Sequence, residues 1–176
     1  YRLDELRAAV LRVQLQRLPQ TTSAMRGSKY RIREALARHA RVRLRRIVDP
    51  AGDTGAFLIT TYRDAATAHR VNLALRGEGI VTSPQGVSNV LLTDWGLHLY
   101  YNIVSLVRQT SVNQSGFPWT LAQNADSARA YAKGACPAAD DLFERSILLA
   151  IPSCLTEQDE NDIIRAFDKV LPVCAA

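Results

Sequence analysis

The sequence of 176 residues is poor in cysteine, histidine and lysine, and these scarcities exclude several kinds of site. The three cysteines, Cys136, Cys154 and Cys174, are odd in number and widely separated. They form no C-x-x-C pair, and no histidine lies at zinc-ligand spacing, so we expect no metal site. Free thiols are typical of a reducing compartment, and we therefore expect a cytoplasmic protein.

Long apolar runs are also missing. None approaches the roughly 18 residues of a membrane-spanning helix, and we expect no membrane partner. Charged side chains at Arg2, Asp4 and Arg7 exclude a signal peptide at the first residues. Position 1 is tyrosine, and Met25 is the only methionine, so we expect this chain to be part of a longer protein.

What is present is an excess of positive charge, +5 in total. Much of it lies between Arg26 and Arg46, where nine basic residues accompany one acid, Glu34. Such a run forms either a solvated face or a surface for phosphate-bearing partners. No helix-turn-helix, zinc or RRM signature accompanies it, which disfavours nucleic acid as a partner.

Apolar spacing predicts helices at both ends of the chain. Residues 3–18 have helical periodicity, and Pro19 is predicted to end that helix. A second helix is predicted over about 24–40, so the two would form a hairpin arm. Asp64, Pro137 and Thr156 are predicted to start the later helices as capping or first-turn residues.

Strand patterns lie between these helices. Alternation from Val42, the apolar run 56–62, Ile80 with Val81, and the apolar run 147–151 predict short strands. The chain therefore reads as an α+β protein, with a small, mostly antiparallel sheet and helices packed on one face. We expect residues 1–40 to form a helical arm and residues 41–176 the α+β domain.

The segment from 83 to 135 has weak periodicity and many loop residues. A loop-rich stretch of this length within a compact domain is usually functional. It concentrates side chains that can stack on a ring or hydrogen-bond its hydroxyls, among them Trp95, His98, Tyr100, Asn102 and Trp119. Core packing is the alternative for the tryptophans, and a surface or core position is the alternative for His98.

Several motifs occur in the order known from one enzyme family. The opening YRLDELRAAVLRVQLQRL at 1–18 resembles the G-x-N-Y-R-x-x-E-L-x-A-A-x-x-x-x-Q-L-x-x-L stretch of the DegT/StrS family. His98-Leu-Tyr100-Tyr-Asn102 is similar to its H-V-Y-x-N segment, and Gly79-Ile80 to its "aeGI" turn. Residues 136–163 resemble the final helix–strand–helix unit of that family.

The DegT/StrS family contains pyridoxal-phosphate-dependent aminotransferases of sugar and cyclitol biosynthesis. The resemblance implies that this chain is the carboxyl-terminal small domain of a fold-type-I aminotransferase. It implies that the large domain, with its cofactor-binding lysine in a G-E-G-G context, is absent from this chain. Lys29, Lys133 and Lys169 lack those flanks, so no catalytic residue is expected here.

The resemblance also implies roles for particular residues. Tyr1 and Arg2 would reach the cofactor phosphate of the neighbouring subunit in a homodimer, and a solvated helix start is the alternative for Arg2. His98, with Tyr100 and Asn102, would bind the substrate. The substrates implied are an amino-acid donor and a keto-sugar or keto-cyclitol acceptor. A non-catalytic homologue and a basic nucleic-acid-binding module are the alternatives.

Overall fold

The structure, a computed structural model, describes residues 3–81, 89–124 and 131–175. These ranges contain five α-helices and four strands. The helices are α1 (Glu5–Leu36), α2 (Ala65–Gly77), α3 (Val104–Val107), α4 (Pro137–Glu144) and α5 (Glu157–Cys174). The strands are β1 (Arg43–Leu44), β2 (Phe57–Thr61), β3 (Asn89–Leu91) and β4 (Ser146–Ala150). The predicted α+β class is confirmed.

Helix α1 is continuous over 32 residues, so the predicted helical hairpin is wrong. Pro19 lies inside the helix, where it removes one backbone hydrogen bond without ending it. The surrounding sequence is rich in Leu, Arg, Gln and Ala, which are strong helix formers, and Asp4 caps the start by accepting from the Arg7 N–H at 2.8 Å. Beyond the proline, the hydroxyl of Thr22 donates to the Leu18 carbonyl at 2.9 Å.

The four strands form one antiparallel sheet in the order β1-β2-β4-β3. The third strand is Asn89–Leu91, and the prediction of a strand at Ile80 and Val81 is wrong. The Ile80 and Val81 N–H groups donate to Leu75 and Gly79 instead of to a sheet neighbour. Ile80 is nevertheless buried in the core.

Register assigns the two faces of the sheet. Leu58 pairs with Leu149, and Thr60 pairs with Ile147, so these residues point to one face. That face forms a single core with apolar side chains from α1, α2 and α5, among them Ile32, Leu36, Ala68, Val71, Leu75, Ile163 and Phe167. The prediction of helices on one face holds for these three, whereas α4 lies against the turn Leu92–Asp94.

The predicted helix starts are confirmed at three positions. Asp64 caps α2, accepting from the Thr67 N–H at 2.7 Å, and Pro137 lies in the first turn of α4. Thr156 and Asp159 form a reciprocal capping box at the start of α5. These short-range hydrogen bonds satisfy backbone groups that a helix leaves open, which is why sequence locates them well.

None of the helices in the described ranges has the length and apolar character needed to cross a bilayer. The same ranges contain no cluster of three or more potential metal ligands. The division into 1–40 and 41–176 stays a prediction.

Candidate functional site

Three consecutive 3-10 turns follow β3, and the predicted substrate residues lie on the second and third of them. The turns are Leu92–Asp94, Gly96–His98 and Tyr100–Asn102. Leu99, between the last two, is completely buried and anchors the segment. This anchor turns His98 and Tyr100 toward different neighbours.

His98 is exposed and stacks on an aromatic side chain. Its ring centroid lies 4.0 Å from that of Trp95, with 24° between the planes. Trp95 in turn meets Phe57 of β2 edge-on at 5.2 Å. The three rings form a patch, which we call the Trp95 patch, that holds a polar imidazole at its open side. Such a surface suits a ligand with a ring and hydroxyl groups.

Tyr100 belongs to a polar network beneath the loop before α4. Its hydroxyl donates to the Asp140 carboxylate, with oxygen separations of 2.9 and 3.0 Å, and accepts from the Cys136 N–H at 3.1 Å. Asp140 is buried and also accepts from the Gly134 N–H at 2.7 Å. The network therefore fixes the segment 134–136 against the 3-10 turns.

The same surroundings set the protonation of Tyr100. Desolvation raises the pKa of its phenol, and the Asp140 carboxylate adds to that rise, although the Cys136 N–H opposes it. A phenol with a raised pKa remains a hydrogen-bond donor at neutral pH. Tyr100 thus positions a loop and is not poised as a general base.

Asn102 is used within its own segment. Its side-chain amide donates to the Gly96 carbonyl at 2.8 Å, closing the turn in which Gly96 has a φ of 56°. The structure thus places His98 beside Trp95, and Tyr100 and Asn102 in loop-fixing hydrogen bonds. Tyr1 and Arg2, the predicted cofactor residues, lie outside the described residues.

The Trp95 patch lies on the second face of the sheet. Phe57, Ile59 and Thr61 alternate with the core-facing residues of β2 and so share that face. A cavity of about 540 Å³ opens on the same face near Ile59 and Thr61. The second face therefore carries both an aromatic patch and a cavity, and it is the candidate functional surface.

No described lysine is available to bind a carbonyl cofactor, because each is paired with a carboxylate. Lys29 is buried and lies 2.5 Å from Asp53. Lys133 pairs with Glu144 at 2.6 Å, and Lys169 pairs with Glu78 at 2.7 Å. Covalent attachment of pyridoxal phosphate needs an amine held against the cofactor ring, whereas each of these three amines is held against a carboxylate. The described residues therefore do not fit that attachment.

The basic run between Arg26 and Arg46 is divided by its contacts. Its helical members hold α1 in place: Arg26 donates to the Asp53 carbonyl at 2.8 Å, and Arg31 pairs with buried Glu160. Arg38 pairs with Asp168. Arg31 and Arg38 remain largely exposed, but each is paired with a carboxylate of α5, so part of the charge of this run is neutralised within the protein.

Two members of this site were not selected as site residues from the sequence. Asp140 lies on α4, one turn after Pro137, and its distance from Tyr100 along the chain hides the contact. Phe57 begins a strand that reads as core, yet its ring contacts Trp95 on the other face. The alternation along 56–62 was the available signal for Phe57, since a residue one step from a core position points away from the core.

Comparison with solved structures shows a likeness to an aminotransferase. No family model matches the sequence, and no curated protein matches it. Among solved structures, the aminotransferase TlmJ from Streptoalloteichus hindustanus superposes with a TM-score of 0.61 at 19% identity. The alignment covers 93% of this chain and 35% of TlmJ, so the chain spans about a third of the length of that protein. At this identity the likeness establishes an aminotransferase-like fold.

Proposed function

We propose that this chain is the carboxyl-terminal small domain of a pyridoxal-phosphate-dependent aminotransferase of the DegT/StrS type. The enzyme would transfer an amino group from an amino-acid donor to a keto-sugar or keto-cyclitol. The observation that carries the proposal is the likeness of 93% of the chain to one part of an aminotransferase. The ordered DegT/StrS-like motifs along 1–163 support it independently.

The ion pairs of the three lysines agree with a proposal in which another lysine binds the cofactor. In the proposal, the cofactor is held by a lysine upstream of Tyr1, and the three lysines of this chain serve the fold. Tyr1 and Arg2 are proposed to reach the neighbouring subunit's cofactor phosphate in a homodimer, because a guanidinium is well suited to a phosphate. We place the enzyme in the cytoplasm, since its free cysteines suit a reducing compartment.

His98 is the proposed acceptor-binding residue. His98 is exposed and therefore accessible to a ligand, while its stacking on Trp95 orients the ring. Tyr100 and Asn102 act on the substrate indirectly in this proposal, by holding the turns that present His98. That changes their expected role from direct contact to positioning.

Half-reactions of the full-length protein test the assignment. His98→Ala is expected to slow amino transfer to the keto acceptor by about tenfold or more, the scale of one lost polar contact, and to leave the donor half-reaction near wild type. His98→Phe keeps a ring on Trp95 and is expected to show the same acceptor defect. His69→Ala, at an exposed histidine of α2, is the matched control.

Two results would count against this role. Acceptor and donor kinetics that both remain at wild-type values would make His98 structural. Wild-type acceptor kinetics in His98→Phe, with a defect in His98→Ala, would assign the effect to ring packing. Thermal unfolding of each variant separates a lost contact from a lost fold.

A further inference from the structure

The edge strand of the sheet carries positive charge that the fold does not neutralise. Arg43, Arg45 and Arg46 are exposed, and within residues 3–81, 89–124 and 131–175 none of them forms an ion pair with a carboxylate. Earlier in the run, Lys29, Arg31 and Arg38 are paired with carboxylates. Three unpaired charges thus lie in and directly after β1.

Arginines from three segments converge on a cavity beside this strand. The cavity has a volume of about 570 Å³ and is lined by Arg41, Arg43, Arg63 and Arg145. Arg145 is held in place, since its Nε lies 2.7 Å from Asp141 and it donates to the Tyr62 carbonyl at 3.1 Å.

The charges in this cavity do not balance. Asp64 pairs with Arg63, and Asp141 pairs with Arg145, which leaves Arg41 and Arg43 without a counter-charge among the described residues. Arg41 is oriented by a hydrogen bond to the Pro172 carbonyl at 3.3 Å. Guanidinium groups fixed around a cavity form strong, charge-assisted hydrogen bonds to phosphate oxygens.

The cavity on the second face of the sheet adjoins this one. The two share Arg43, Thr61 and Arg145 among their lining residues. The second cavity has mainly apolar walls, supplied by Ile59 of β2 and by Leu142 and Phe143 of α4. A cationic pocket, suited to an anion, therefore opens directly onto an apolar one, with Arg145 between them.

We propose that the two adjoining cavities form one binding site for a phosphate ester whose organic part is apolar or aromatic. The phosphate lies between Arg41 and Arg43, and the organic part lies against Ile59 and Phe143. Each cavity falls in the range of roughly 300–1,000 Å³ that is usual for small-molecule sites. The apolar wall favours a small ester over a nucleic-acid backbone, which would need charge and not an apolar surface along its path.

Calorimetric titration of the full-length protein with inorganic phosphate and phenyl phosphate, at constant ionic strength, tests the site. Phenyl phosphate is expected to bind about tenfold more tightly, because burial of its ring adds apolar contact. Arg43→Gln is expected to weaken both ligands about tenfold. Leu142→Ala is expected to weaken phenyl phosphate alone, and Arg76→Gln, at an exposed position on α2, is expected to change neither.

Several outcomes would overturn the proposal. Equal losses from Arg43→Gln and Arg76→Gln would indicate a general charge effect. Equal affinity for phosphate and phenyl phosphate would remove the apolar half of the site. Binding of a single-stranded oligonucleotide more tightly than phenyl phosphate, lost in Arg43→Gln, would make this surface a nucleic-acid interface. If Arg43→Gln unfolds, Arg43→Lys gives the same test, since it keeps the charge and removes the forked geometry, and unchanged affinity there would refute a phosphate fork at Arg43.

Discussion

Replacement of Lys29 by methionine tests the ion pair that removes this lysine from cofactor chemistry. The Lys29 and Asp53 side chains are only 3% and 11% exposed, and their charged atoms lie 2.5 Å apart. Solvent therefore screens this pair little. Removing one partner of a buried pair leaves an uncompensated charge, which costs about 3–5 kcal/mol. For a chain of this size that corresponds to a fall in Tm of roughly 6–20 °C.

The pH dependence of stability gives this prediction a second readout. Burial alone would raise the pKa of Asp53, but Lys29 and the Gly55 N–H together hold that pKa below its usual value. In the wild type, the stabilisation from Asp53 is therefore present above its unfolded pKa of about 4 and is lost as pH falls through the lower folded pKa. In Lys29→Met, burial without the ammonium raises the pKa of Asp53, so protonation removes its unpaired negative charge as pH falls. The difference in free energy of unfolding between wild type and variant should therefore become smaller as pH falls from 7 toward 4.

Urea unfolding followed by circular dichroism at pH 7 and at pH 4 measures both effects. Lys169→Met is the matched control, because that side chain is 70% exposed and its pair contributes less than about 1 kcal/mol. Equal free energies of unfolding for the two variants at pH 7 would refute the buried ion pair. If the difference in free energy of unfolding between wild type and Lys29→Met becomes larger toward pH 4, the pH dependence does not come from Asp53.

Three further predictions have defined expected outcomes. Gly55→Ala should lower the free energy of unfolding by more than about 2 kcal/mol, since φ is +81° and the added Cβ would lie 2.3 Å from a backbone nitrogen of α1. Gly79→Ala, where φ is +94° and the space is open, should cost only the conformational strain of about 1–2 kcal/mol. Equal losses for the two variants in urea unfolding would show that the close approach of residue 55 to α1 has no effect on stability. Asp140→Asn should lower the pKa of Tyr100, which ultraviolet titration of the phenol measures, and an unmoved titration would show that the carboxylate has no influence on it. Thr156→Ala should cost about 1 kcal/mol in thermal unfolding through loss of the α5 capping box, and an unchanged Tm would show that the cap is dispensable.

Local sequence signals predicted much of this fold because the groups involved lie close along the chain. The caps at Asp64 and Thr156 are examples, since each side chain bonds an N–H three residues away. Pro19 shows the limit of such rules. A proline removes a single hydrogen bond, and the helix formers on both sides of it kept α1 continuous.

Contacts between distant segments could not be derived in this way. Strand β3 has only three residues, too few to show a period. Its Asn89 is buried, and its side chain accepts from the Asn72 amide at 2.8 Å and donates to the Ile80 carbonyl at 3.1 Å. Asp140 and Tyr100 are separated by 40 residues, so the network between them has no local signature. For the same reason, the sequence selected His98 as a polar residue in a loop but did not predict its stacking on Trp95.

The basic run between Arg26 and Arg46 shows both what the sequence could predict and what it could not. Sequence showed the charge between Arg26 and Arg46, and only the fold shows which part of it is used. The helical half faces carboxylates and carbonyls of the loop 49–55 and of α5, as the pairs of Lys29 and Arg31 show. The strand half remains open at the sheet edge, where Arg43 lines both cavities.

Location of the cofactor-binding lysine tests the central claim most directly. The full-length protein would be incubated with pyridoxal phosphate, reduced with borohydride and digested, and the pyridoxyl-labelled peptide would be identified by mass spectrometry. The account predicts one labelled lysine upstream of Tyr1 and none at Lys29, Lys133 or Lys169. Stoichiometric label on any of these three lysines, or a protein that takes up no label, would contradict it.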